Sequence, residues 1–129
     1  MAGCYTWARL RLRRTRLVDL YTEIVNGVLI ACPQGRVDGS NAQVFQRLLL
    51  VAAKASEGPV ILDCTDLAFI SSAGLGGILF VVKGLAEADR RVLLCSRSKP
   101  VEKTLRISGF EQLVPIHGSR SEALTAVVG

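Results

Sequence analysis

At 129 residues the chain is long enough for one domain with a buried core, and half of it is hydrophobic while only 5% is aromatic. That balance suits an aliphatic α/β core, speaks against a base-stacking surface, and includes no run near the roughly 18 apolar residues of a membrane span. The net charge of +5 belongs to the first 16 residues, which carry Arg9, Arg11, Arg13, Arg14 and Arg16 and no acid; from Leu17 onward 11 cations meet 11 anions, so direct nucleic-acid binding is not expected.

Residues 1–16 read as a basic N-terminal tail without order, and 17–129 as the folded domain. No apolar segment follows the arginines in the way a secretory signal requires. Leu17–Asn26 and Val28–Pro33 are strand-like runs around a turn at Gly27, the pattern of a hairpin. Gln34–Ser40 is a loop with two glycines. A helix follows over Asn41–Ser56, with Val44, Phe45, Leu48, Val51, Ala52 and Ala55 at helical spacing, and Gly58-Pro59 ends it. Val60–Cys64 is a buried strand. A short turn leads to Ser71-Ser72 and a second helix over Ser72–Ala88, whose core stripe is Leu75, Ile78, Leu79, Val82, Leu85 and Ala86. Arg91–Ser96 is another buried strand. Ser98-Lys99-Pro100 opens a third helix that Gly109 closes. Gln112–Ile116 is a last strand, and Ser119-Arg120-Ser121-Glu122 is a capping box that starts a final helix. The order β-β-α-β-α-β-α-β-α implies an α/β fold with a single mixed sheet of about five strands and about four helices.

The chemistry-bearing residues are few. Cys4, Cys32, Cys64 and Cys95 lack the spacing of zinc ligands; the last three sit in apolar runs, where a free thiol behaves as a small hydrophobe. They point to a reducing cytoplasm and to no metal. Ser72 lacks the first glycine of a nucleophile elbow, Ile70 standing in its place. His117, the one histidine, reads as a solvated loop residue, so no enzyme is expected. Gly74-Leu75-Gly76-Gly77 lacks the Lys-Ser/Thr of a P-loop and the third glycine of a dinucleotide motif, so no nucleotide cofactor is expected. Asp66 reads as an Asx-type turn residue.

The place of the two serines is more informative. A helix start offers free backbone N–H groups and the positive end of the macrodipole, so a phosphate added there is tolerated by the fold. On a wheel of about 100° per residue, Ala73, Gly76, Gly77, Phe80, Lys83 and Gly84 fall opposite the core stripe. Helical glycines each cost about 1 kcal/mol against alanine. Either they let another protein's backbone approach, with Phe80 as an anchor, or they face the domain's own loops.

Three motifs together carry a family resemblance: Gly35-Arg36-Val37-Asp38 followed by Asn41-Ala42; Leu62-Asp63-Cys64-Thr65 leading to Phe69-Ile70-Ser71-Ser72-Ala73-Gly74-Leu75; and Ser108-Gly109-Phe110 followed by Ser119, Glu122, Ala123 and Leu124. From about Val18 on, the chain resembles the STAS family, and within it the stand-alone bacterial anti-sigma factor antagonists. The resemblance implies that 17–129 is a STAS domain and that its role is transcription regulation by partner switching, with Ser72 phosphorylated and Ser71 as second choice. The kinase would be the anti-sigma factor itself, a serine kinase of the histidine-kinase-type ATPase fold, and a metal-dependent phosphatase would reverse the modification. Asp38, Ser71, Ala73, Gly76, Gly77, Phe80 and Lys83 would contact the partner. Relatives often carry Asp at the place of Ser71 and Ser or Thr at the place of Ala73. The alternative within the family is a STAS interaction subunit that is not phosphorylated and serves as scaffold of a stress-sensing or lipid-transport complex.

Overall fold

The computed structural model describes residues 5–6, 18–96 and 98–128; Cys4 and the arginines expected in the basic tail lie outside the described residues. The expected element order holds, with two short strands added. β1 (Tyr5–Thr6) precedes β2 (Val18–Val25) and β3 (Val28–Val37); α1 (Ala42–Lys54), β4 (Val60–Asp63), β5 (Leu67–Ile70), α2 (Ser72–Glu87), β6 (Val92–Cys95), α3 (Lys99–Ser108), β7 (Ile116–His117) and α4 (Arg120–Val128) follow. The strands form one mixed sheet in the order β1-β2-β3-β4-β6-β7, and β5 adds beside β3. β1, β2 and β3 are antiparallel neighbours, and every later pairing is parallel.

Local chemistry explains the elements. Asn26 and Gly27 both have positive φ, 52° and 80°, as a two-residue hairpin turn between right-twisted strands requires. α3 has proline in its first turn and ends at Gly109 with φ 74°. In the capping box of α4 the Glu122 amide donates to Ser119 Oγ, and the Glu122 carboxylate accepts from the Gly118 amide, each at 3.2 Å. Arg90 fixes the exit of α1 with a planar fork, donating to the carbonyls of Gly58 and Ala53 and to Ser56 Oγ.

The sheet has helices on both faces. α1, α2 and α3 cover one face, around Phe45, Leu48, Leu49, Leu62, Ile70, Ile78, Val81, Leu94 and Leu105. α4 covers the other, where Ala123 and Val127 meet Ile30, Ile61, Leu93 and Cys95. Several expected details are corrected. The loop expected over Gln34–Ser40 is strand as far as Val37. The expected turn before Ser71 contains β5. The strand expected at Gln112–Ile116 is placed at Ile116–His117, after a 3-10 turn over Phe110–Gln112. α1 buries Leu49 and Ala53, whereas Val51 is 48% exposed and Ala55 is exposed. In α2, Val81 is buried and Ala86 exposed.

Candidate functional site

The site is assembled by β5. Its residues Phe69 and Ile70 pair with Arg36 and Val37 at the end of β3, and the Ser71 amide donates to the Val37 carbonyl at 2.9 Å. This register sets the loop after β3, which carries Asp38, beside the start of α2. The pairing needs a shift between Gly35 and Arg36, and Gly35 absorbs it with φ 105°, a backbone conformation that favours glycine.

Ser71 and Ser72 have different surroundings. Ser71 is the N-cap, in extended conformation, and its Oγ accepts from the Gly74 amide at 3.2 Å. It is half-buried. Ser72 is the first residue of α2 and is exposed; among the described residues its hydroxyl has no hydrogen-bond partner. The Leu75 amide donates to the Ser71 carbonyl. With Gly74 and Leu75 satisfied, the Ser72 and Ala73 amides are, among the described residues, the two first-turn donors left open to an incoming acceptor.

Asp38 organises its own loop. Its Oδ1 accepts from the Ser40 amide at 2.9 Å and the Ser40 hydroxyl at 2.6 Å. The Asp38 amide donates to Asn41 Oδ1, and Asn41 Nδ2 donates to the Arg36 carbonyl. The Ser40 hydrogen bonds hold the Asp38 carboxyl below its ordinary range. Any contribution it makes to stability is therefore present above the unfolded-state value and lost as pH falls through the folded-state value. Asn41 is buried and makes no side-chain cap to α1, so it serves the loop and not the helix start. Arg36, which no sequence pattern marks as a site residue, lays its guanidinium over the Phe69 ring, 4.6 Å from the centroid, and adds a cation next to Asp38.

Along α2, Ala73, Gly76, Phe80 and Lys83 are exposed on one side, Phe80 to 56%. Gly77 is corrected: it is buried and turned to α1, where a Cβ would stand 3.3 Å from Gln46 Cβ and 3.6 Å from the Ala42 carbonyl oxygen. It lets the two helices approach each other. Gly76 meets nothing within 4 Å of an added Cβ, whereas at Gly74 that atom would lie 2.7 Å from Ile70 Cγ1 and from Val37 Cγ1. The two glycines should therefore respond with opposite signs. Gly76→Ala should stabilise the fold by up to about 1 kcal/mol through helix propensity, and Gly74→Ala should cost about 1–2 kcal/mol through overpacking. Urea denaturation midpoints of the two variants decide it.

The remaining candidate groups lie elsewhere. His117 is corrected from a solvated loop residue to a half-buried residue of β7, its Nε2 sealed without a hydrogen-bond partner among the described residues, so it does not serve Ser72 as a base. The Asx-type bond expected of Asp66 is made by Asp63, whose Oδ1 accepts from the Thr65 amide at 3.0 Å. Asp63 is also bound by Arg120, which reaches Glu23 and Cys32 as well. Cys64 and Cys95 are buried. Burial pushes the Cys32 thiol up to about 11 and the Cys95 thiol to about 12, and raises Cys64 further, so all three are protonated and poor nucleophiles. Among the described residues no helix is long and apolar enough to cross a membrane, and no group of three or more His, Cys, Asp or Glu is placed to hold a metal ion.

Known proteins share this fold. The STAS domain family model matches residues 19–123. A Bordetella bronchiseptica protein named as an anti-sigma factor antagonist, BtrV, is 37% identical over 109 residues, which is 84% of this chain and 94% of that protein. The crystal structure of an anti-sigma factor antagonist from Mycobacterium paratuberculosis superimposes with a TM-score of 0.77 at 19% identity, over 87% of this chain and 95% of that one. The Bacillus cell fate determinant SpoIIAA in its phosphorylated form superimposes with a TM-score of 0.61 at 19% identity, over 84% and 98% of the respective chains.

Proposed function

Because the chain belongs to the STAS domain family, we propose that it is an anti-sigma factor antagonist whose binding is switched off by phosphorylation of Ser72. The observation that carries this reading is the contrast between the two serines. Ser71 supplies the cap and keeps its oxygen occupied, while Ser72 presents a free, exposed hydroxyl beside two open backbone donors. A phosphate there would be met by those donors and by the helix macrodipole. The partner in this reading is an anti-sigma factor that is also the serine kinase, an ATPase of the histidine-kinase type, and a metal-dependent phosphatase restores the hydroxyl. The setting is the bacterial cytoplasm. The antagonist brings no catalytic group; it offers Asp38, Ala73, Gly76, Phe80 and Lys83 as a surface. SpoIIAA, of the same fold, exists in a phosphorylated form, and BtrV is named for antagonism of an anti-sigma factor.

The experiment is capture of the partner from extract of the native cell with unphosphorylated protein, followed by incubation of the captured ATPase with ATP and mapping of modified peptides. Phosphate on Ser72, absent from Ser72→Ala, is the expected result. Undiminished phosphate in Ser72→Ala would move the switch to another residue, Ser71 first. Capture of transporter or stress-complex subunits with no ATPase would favour the scaffold reading.

A further inference from the structure

We propose that the docking face continues from α2 across α1, and that the partner surface seated on it is acidic. The proposal rests on the reading of Ser72 as the switch of a protein-binding face and deepens it by naming the partner's charge.

α1 and α2 lie side by side on the same face of the sheet, in contact through Gly77. Their outward stripes therefore form one surface. On α1, Arg47, Val51 and Lys54 follow one another at intervals of four and three residues, so they share a side of the helix, and all three are exposed. On α2, Phe80 and Lys83 are neighbours three residues apart, also exposed. Val51 and Phe80 are two of the four large hydrophobic side chains that stand open to solvent among the described residues. On the two helices the charge is mostly positive, three cations to one acid. α1 contains two cations and no acid, and α2 contains Lys83 and Glu87. None of Arg47, Lys54 and Lys83 is ion-paired among the described residues.

Exposed apolar anchors within a rim of unpaired cations fit a partner with an apolar centre and carboxylates around it. Such charge complementarity acts mainly on the rate of encounter. It also gives the switch a sign. A phosphate on Ser72, at the head of the α2 stripe, brings nearly two negative charges against an acidic surface, so the field that draws the unmodified protein in repels the modified one.

The test is the association rate between this protein and the captured ATPase, measured by stopped flow from low to physiological salt. Arg47→Glu and Lys83→Glu should each lower the rate constant about five- to tenfold at low salt, with a smaller gap at physiological salt. Lys103→Glu, the same charge change at an exposed position of α3, should stay within about a factor of two of the unaltered protein. Association of Arg47→Glu and Lys83→Glu at the unaltered rate, or faster, while the unaltered protein binds and is phosphorylated on Ser72, overturns the acidic partner and leaves the switch standing. Absence of binding by the unaltered protein overturns both.

Discussion

Stoichiometric phosphorylation of Ser72 is expected to weaken binding to the anti-sigma factor by about a hundredfold or more, and Ser72→Asp to weaken it by about tenfold, with little change in the antagonist's own stability. A hundredfold loss is about 2.7 kcal/mol, which is modest beside the cost of desolvating a phosphate of nearly two charges against a surface built for a hydroxyl. The fold is insulated from that cost. Ser72 is exposed in the first turn of α2, and among the described residues its hydroxyl holds no hydrogen bond and the Ser72 and Ala73 amides have no acceptor. A negative group at this position gains about 0.3–1 kcal/mol from the helix terminus, so the melting temperature of Ser72→Asp should be unchanged or slightly higher. Ser71→Ala differs on both counts: it should lose about 1 kcal/mol of stability with the cap and still accept phosphate on Ser72. Calorimetric titration of each form into the partner, with scanning calorimetry of the free proteins, separates the two residues. Tight binding by the phosphorylated protein would end the proposal.

Much of this arrangement is legible in the sequence because local chemistry dictates it. Asn26-Gly27 has one economical turn, Pro100 and Gly109 mark the ends of α3, and Ser119 with Glu122 writes a capping box. The parts that sequence misses depend on distant partners. β5 is only four residues long, with Ala68 exposed, and becomes a strand because β3 runs on to Val37 to receive it. β3 in turn is disguised as a loop by Gly35, which the bulge needs. α1 is apolar on more than one side, so periodicity alone does not decide whether Leu49 or Val51 turns inward. The glycines of α2 look alike in sequence; only the approach of α1 separates Gly77, closed by Gln46, from the open Gly76. Ser71 and Ser72 are likewise adjacent and chemically identical, and the capping geometry is what distinguishes them.

Arg120→Ala is expected to destabilise the domain by about 2–3 kcal/mol, the largest stability effect among the substitutions considered. Arg120 opens α4 and reaches groups 57 and 97 residues away in sequence, donating to Asp63 and Glu23, with Nη2 also 3.1 Å from Cys32 Sγ. The two carboxylates come from β4 and β2, so one guanidinium fastens α4 across three strands. Asp63 and Glu23 are only 11% and 13% exposed, and without the cation both carboxyl groups lose their partner where little water replaces it. Removing one partner of a buried pair costs about 3–5 kcal/mol; the figure is reduced here because the Arg120 side chain remains 39% exposed. Asp63→Asn preserves the acceptor for the Thr65 amide while removing one charge. The double variant Arg120→Ala/Asp63→Asn should therefore be more stable than the sum of the single losses predicts, with a coupling of about 1–2 kcal/mol. Hydrogen exchange adds a spatial check: amides of α4 should lose protection in Arg120→Ala before those of α2, because α4 rests on a separate apolar cluster where Ala123 and Val127 are its buried contacts. A loss below about 0.5 kcal/mol, or additive single losses, would show that burial of Ala123 and Val127 alone holds α4 and that the charges over it are ornamental.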